Sequence, residues 1–245
     1  MLWPLLLSTL ILALAAPVAV SFRRHRPVRF PRPEDIDLDA EHARVRAVLD
    51  SPDARSLVVE DDGVRVYRCL TKYCPYVAYL SESIVAASAE AIRSFVHERA
   101  PITQINESYA GGRVLGTRPD GAELAIFGTM RFRSQSPLTA PRDGVAITSV
   151  RRRENGEIGV LTLSVDHPDA PLVPGYARYK NYASYDRITP LGDGKCRLEH
   201  IMVLDPNGWL LPFFWNHFLT RPNARVYLSE ARSLRRLLEG GGVTP

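Results

Sequence analysis

Three cysteines and six histidines among 245 residues are where metal binding or acid–base catalysis would show first. Cys69 and Cys74 have no second pair, and Cys196 stands alone, which argues against zinc and against a disulfide framework. Cys69 and Cys74 can close a hairpin disulfide only in an oxidising compartment. His167 precedes Pro168 in a turn and His200 falls in the middle of a strand, neither with an acid–base partner in the local sequence. No Gly-x-Ser-x-Gly elbow, His-Glu-x-x-His or dinucleotide fingerprint occurs, and Gly111-Gly112 with Gly116 lacks the lysine of a phosphate loop. Asn106-Glu107-Ser108 is a glycosylation triplet of a kind frequent by chance. Arg178, among Tyr176, Tyr179 and Tyr182, is more informative. Pointing inward, its guanidinium needs an acid such as Asp205 or Glu199, or a ligand's polar head. The sequence therefore predicts no catalytic residue, no metal and no cofactor.

The elements that position these groups read as a mixed α+β chain. A short amphipathic helix is predicted over Glu41–Leu49, then strands over Leu57–Glu60 and Val64–Arg68 around Asp61-Asp62-Gly63. A third strand spans Tyr76–Ala87, and Ser88 caps a helix that Pro101 ends. Turn signals at Pro119-Asp120-Gly121, Glu154-Asn155-Gly156 and Gly192-Asp193-Gly194 each join two strands. From Leu211 the chain is helical, with Pro222 bending or restarting it. Tyr227, Ala231, Leu234 and Leu238 give the last stretch one apolar side. Strands joined by hairpins are antiparallel, and the long C-terminal helix must cover the sheet. A curved sheet gripping a helix leaves an internal apolar cavity suited to an apolar ligand.

The net charge of +4 misleads. Residues 1–33 hold five arginines and no acid, and without them 26 basic residues face 27 acids, so a nucleic-acid face is not expected. Residues 1–22 carry no charge and are long enough to cross a bilayer, with Arg23, Arg24 and Arg26 directly after them. That pattern predicts a single-pass anchor with the domain on the cytosolic side. The competing reading is a signal cleaved near Ala13-Leu14-Ala15, leaving a secreted or periplasmic protein. Residues 23–40 read as a basic, proline-rich linker, 41–239 as one domain and 240–245 as a tail.

Four sequence blocks occur in a telling order. Arg142-Asp143 opens a strand; Ser164-Val165-Asp166-His167-Pro168 is followed by Pro171 and by Gly175-Tyr176-Ala177-Arg178; Pro190-Leu191 precedes Gly194; and Asp205-Pro206-Asn207-Gly208-Trp209-Leu210-Leu211-Pro212 leads into the final helix. Together they resemble the START family of lipid-transfer domains, related to the steroidogenic acute regulatory protein. The resemblance covers about residues 41–239 and implies a helix-grip fold that shields one sterol or phospholipid. It also implies a lid formed by the C-terminal helix and the loop Ser134–Pro141. One departure is Ile105-Asn106 where that family shows Trp-Asp, which changes the polarity there.

Candidate lipid-binding residues follow. Leu124, Ile126, Met130 and Phe132 share one face of a strand by their even spacing. Leu211, Phe214 and Phe218 are assigned toward the ligand and Phe213 or Trp215 outward, because that segment has too many large apolar groups for one helical side. Arg178 completes the set. Ordinary core packing competes for each apolar member, and a structural ion pair competes for Arg178. Two other functions compete with lipid transfer: an enzyme of the same architecture, of cyclase or hydrolase type, and a ligand-sensing interaction module.

Overall fold

The computed structural model describes residues 29–51, 55–98, 105–134, 140–207 and 212–240. Ten strands form one sheet: β1 (Arg55–Asp61), β2 (Val64–Cys69), β3 (Ala78–Val85), β4 (Tyr109–Asp120), β5 (Glu123–Phe132), β6 (Arg142–Arg152), β7 (Ile158–Ser164), β8 (Ala177–Arg178), β9 (Lys180–Gly192) and β10 (Lys195–Asp205). The helices are α1 (Leu38–Leu49), α2 (Ala89–Glu98), α3 (Pro212–His217) and α4 (Thr220–Glu239). The strand order is β1-β2-β3-β10-β9-β7-β6-β5-β4, antiparallel throughout, while the two-residue β8 pairs parallel with β6. Turn chemistry explains the hairpins: Asp62, Gly63, Gly121, Gly156, Asp193 and Gly194 all sit at positive φ.

Pairing β3 with β10 closes the fold, since it joins the first meander to the last strand. The even positions of β5, β6, β7 and β10 then face inward, and the odd ones outward. On the outer face α1 packs Leu38, Val45 and Leu49 over Phe127, Ile147, Leu161, Tyr185 and Ile201. On the inner face α4 packs Ala224, Tyr227 and Leu228 against Val64, Val66 and Tyr79. Its later Leu234 and Leu238 join Ile92 and Phe95 of α2 over Ile158, Ile188 and Leu198. Both faces of the central strands are covered, which explains the unbroken burial of β7.

The domain begins earlier than the linker boundary at residue 40 would have it. Phe30 is buried, its backbone N–H donates to the Asp166 carboxylate at 3.2 Å, and the Asp166 N–H donates to the Pro31 carbonyl at 3.1 Å. Arg118 donates to the Pro33 carbonyl at 2.5 Å and to the Ile36 carbonyl at 3.2 Å. The prolines therefore brace a docked segment. Asp37, whose carboxylate accepts from the Ala40 N–H at 3.0 Å, starts α1 at Leu38 in place of Glu41. The predicted single C-terminal helix is two, and Pro222 sits in the first turn of α4, where a missing N–H costs little. Residues 1–22 and Arg23, Arg24 and Arg26, assigned to a membrane, lie outside the described residues. No helix among the described residues is long and apolar enough to cross one.

Candidate functional site

The inner face changes character along the strands. Where β5 ends and β6 begins, Met130, Ala146 and Tyr179 pack with Tyr109, Phe132 and Leu204. Tyr179 lies so near Gly144 that a Cβ there would stand 2.2 Å from its ring, so only glycine fits. This apolar end, with the end of β5, the start of β6 and α3 beside the start of β3, is the mouth.

Deeper in, the face turns polar. The hydroxyls of Thr148 and Thr162 stand 3.0 Å apart, and Ser184 neighbours Thr162 across the β7–β9 ladder. On the next rung His200 Nδ1 meets Asp186 Oδ1 at 2.8 Å. From above, α4 presents Glu230, whose Oε1 accepts from Asn106 Nδ2 at 2.6 Å. Asn106 Oδ1 in turn accepts from the Ser108 N–H at 2.9 Å and its hydroxyl at 2.5 Å, which fixes the amide. Burial pushes the Glu230 carboxyl up to about 7, against the opposing pull of His200 and Asn106. The departure at Ile105-Asn106 thus has a physical partner. An aspartate at 106 would set two carboxyl groups in contact, whereas asparagine donates to Glu230. The same bonds occupy the amide that a glycan would need.

This strip is not sealed. Along β10 the outward Ile201 and Val203 are 0% and 1% exposed, while the inward His200, Met202 and Leu204 keep accessible surface. α4 rests mainly on β1, β2 and β3, and α2 on β7 and β9, so the inner face of β10 lies between their footprints. The inner face is thus apolar only at the mouth, and the two pockets described lie elsewhere, beside the α3–α4 break and between β1 and α4.

The sequence-derived residues divide accordingly. Met130 and Phe132 stand together at the mouth, and Ile126 is half-buried opposite Thr148. Leu124 corrects the expectation. It shares their face but is 53% exposed at the far end of β5. Phe218, expected to face the ligand, is 63% exposed because it falls in the break between α3 and α4. Leu211 and the Phe214 side chain lie outside the described part. Of the two groups assigned outward, Phe213 is exposed and stacked on His217, whereas Trp215 packs on Tyr76 and donates to the Val77 carbonyl at 3.4 Å.

Arg178 is buried in a structural pair. Its guanidinium bonds Asp143 at 2.5 and 3.3 Å and the carbonyls of Ala170 and Pro171 at 2.9 and 3.0 Å. The partner is Asp143, because β8 pairs with β6, and not Asp205 or Glu199. Arg142 next to it donates to the carbonyls of Ala140, Pro206 and Asn207, and Asn207 Nδ2 donates to the Arg178 carbonyl at 3.0 Å. Three of the four blocks that carry the family resemblance therefore meet in one clamp at the mouth. They tie Ala140, Pro206 and Asn207 to the start of β6 and do not line the deep strip.

His200 is the residue that local sequence misjudged, since its partner Asp186 lies across a hairpin. The turn pairs Gly192 with Lys195, and a register shift between Lys195 and Cys196 then moves His200 from Arg187 to Asp186, a step that counting outward from the turn would not have found. Elsewhere His42 Nε2 and Ser149 Oγ are 3.0 Å apart, with Ser149 donating to Asp120 at 2.6 Å. That trio lies sealed beneath α1, and the acid binds the serine and not the histidine, so it lacks the geometry of a hydrolytic triad. Cys69, Cys74 and Cys196 are buried, unpaired thiols. Among the described residues no three of His, Cys, Asp and Glu stand where they could hold a metal.

Comparison with known proteins places this geometry. The START domain family model matches residues 127–227. The human StAR-related lipid transfer protein 5 is 26% identical over 184 residues, 74% of this chain and 85% of that protein. Its mouse counterpart is 31% identical over 101 residues, 40% of this chain and 47% of the other. The solved structure of the human protein superposes with a TM-score of 0.70 at 22% identity, covering 81% and 95% of the two chains. A STAR-related lipid transfer protein fragment from Xanthomonas axonopodis gives 0.62 at 19% identity, covering 76% and 99%.

Proposed function

The chain belongs to the START domain family, and from that premise we propose that it carries one lipid between sheet and α4, polar head inward and apolar body toward the mouth. Lipid binding and transfer is the family's activity. The observation that supports this orientation is the graded strip on the inner face, from Met130 and Phe132 to Asp186, His200 and Glu230. A lipid chain costs about 0.8 kcal/mol per methylene in water, so desorption unaided is slow and an apolar enclosure lowers the barrier.

The polar end also selects. Among the described residues neither Asp186 nor Glu230 is paired with a lysine or arginine, so a phosphate there would meet two acids with only the His200 imidazole to offset them. A hydroxyl or amide head suits it better: it donates to a carboxyl and accepts from the imidazole. The reading is therefore a sterol-like or other compact-headed neutral lipid, in preference to a phospholipid. Residues 1–22 keep the carrier at a membrane.

Native mass spectrometry of the full chain from its source cells, with extraction of the cargo, tests this. One stoichiometric hydroxylated or amide lipid is expected. A phospholipid would sink the head-group assignment, and an empty protein that takes up nothing from labelled vesicles would sink the carrier. The ordered His200–Asp186 pair beside Glu230 also favours a second reading, acid–base catalysis on a bound ligand. Cargo recovered chemically unchanged after prolonged incubation decides against it.

A further inference from the structure

β1 ends the sheet, with β2 as its one strand neighbour among the described residues. α4 runs beside it in the same direction. Ser56, Leu57 and Val58 share a pocket of about 540 Å³ with Thr220 and Arg221, and Val59, Glu60 and Asp61 share one of about 460 Å³ with Arg225, Leu228, Arg232 and Arg236. The two pockets are consecutive stretches of one trough between the sheet edge and the helix. Its floor is aliphatic: Leu57 is 52% exposed, Val58 and Val59 are half-buried, and Leu228 closes the base.

The helix wall is cationic. Arg221, Arg225, Arg232 and Arg236 recur at four- and seven-residue intervals, so they stand in one row of about 22 Å at the helical rise. Glu230, five positions after Arg225, points to a different side of α4. Among the described residues Arg221, Arg225 and Arg236 pair with no acid, and Arg232 reaches Asp61 from one end of its guanidinium only. The Arg232 Nε is enclosed and has no hydrogen-bond partner among the described residues. An enclosed donor without an acceptor carries a desolvation cost that a carboxylate would relieve.

We propose that this trough binds an extended segment of a partner protein, about seven to eight residues long, in which acidic and aliphatic side chains alternate. The charge is spread along the whole row, whereas an anionic lipid carries its charge at one end. A nucleic acid strand is anionic at every residue, yet Glu60 and Asp61 form the opposite wall and the floor from Leu57 to Leu228 has no ring on which a base could stack. An extended peptide sets same-side side chains about 6.6 Å apart and turns the alternate ones the other way. That period is close to the about 6 Å of helical rise between Arg221 and Arg225 and between Arg232 and Arg236, and it lays the aliphatic side chains on the floor. The register shift that leaves Val58 without a counterpart on β2 breaks the regular row of backbone groups along the edge. Side chains, and not an added strand, therefore hold the segment.

The test follows the anisotropy of a fluorescein-labelled octapeptide of alternating glutamate and valine titrated with the full chain in an uncharged detergent. Saturable binding is expected, at least tenfold weaker in an Arg225→Glu, Arg236→Glu double variant, which should instead bind an octapeptide of alternating lysine and valine. Leu57→Asp, and a peptide with its four glutamates in one block, should each weaken binding several-fold. Both arginines are exposed, so the double variant should melt like the parent. If it does not, the single variants Arg225→Gln and Arg236→Gln carry the same test, each expected to bind about threefold more weakly. Absence of binding, equal binding of the block peptide, or indifference to the arginine variants overturns the proposal. So does tighter, arginine-dependent binding of an octathymidylate or of a soluble short-chain phosphatidylserine, which would make the row a nucleic-acid or lipid site. None of the substituted residues belongs to the strip assigned to the cargo, so the outcome is independent of the carrier reading.

Discussion

Two enclosed groups of opposite chemistry pull the pH dependence of stability in opposite directions. His42 under α1 is pushed down to about 4 by burial, with the Arg151 guanidinium acting in the same direction. Its neutral form is favoured by folding, so its stabilisation is present above pH 6.5 and is lost as pH falls toward 4. Glu230 is pushed up to about 7, so its protonated form is favoured by folding. That stabilisation is present below pH 4.5 and is lost as pH rises toward 7. Each shift is worth on the order of 2–3 kcal/mol, toward the lower figure for Glu230, whose side chain keeps some accessible surface. Between pH 4.5 and 6.5 the two slopes oppose each other. Glu230→Gln should therefore unmask a stability that rises with pH across that window, and His42→Asn one that falls. Urea midpoints at several pH values measure both, and variant profiles parallel to the parent's would refute the assignment. Asp143→Asn belongs to the same scale. It leaves the Arg178 guanidinium buried without its anion, and a loss of about 3–5 kcal/mol is expected in the same experiment.

At the level of elements, what the sequence announces and what it hides follow from how far apart the partners lie. The hairpins are announced because each turn carries its own glycine or aspartate at positive φ, and a period-two pattern flanks it. Register follows from the turn only where no bulge intervenes, and the shift between Lys195 and Cys196 is what sets Asp186 opposite His200. The β3–β10 ladder and the Arg178–Asp143 pair cannot be reached this way, since they depend on contacts more than thirty residues apart that no local pattern encodes. Spacing alone also misled at Leu124. Its face is the right one, but burial depends on position along the strand, and it lies at the far end. The mouth clamp makes a prediction at this scale. Arg142 joins Ala140, just before β6, to Pro206 and Asn207, just after β10, through their carbonyls. Arg142→Ala should leave the sheet folded at a cost of about 1–3 kcal/mol while lipid release from loaded protein accelerates several-fold. Release followed with a fluorescent lipid, beside a thermal melt, separates the two effects. Unchanged release in a folded variant would remove the clamp from the lid.

For the whole molecule, the proposed anchoring by residues 1–22 would make residues 23–29 set the distance over which a carrier can work. A carrier so anchored that loads and unloads through its mouth would have to turn that mouth to the acceptor membrane within the reach of residues 23–29. From Phe30, about 25 Å of chain is available, and the mouth residues on α3 lie a further 10–20 Å across the sheet by the strand spacing. Direct exchange between two bilayers should then persist only while their surfaces lie within about 45 Å, and fall steeply beyond. A longer flexible spacer would act in two opposing ways. It extends the reach, and it dilutes the mouth at the donor surface, because effective concentration falls with roughly the three-halves power of linker length. Inserting twenty Gly-Ser residues after Arg26 is therefore expected to slow exchange at close apposition by a few-fold and to restore it at separations where the parent fails. Vesicles held apart by DNA tethers of graded length, with a fluorescent lipid as cargo, measure both limbs. Identical distance profiles for the parent and the extended chain would mean that the domain works free of its N-terminal segment, and that the reach of the carrier is set by diffusion.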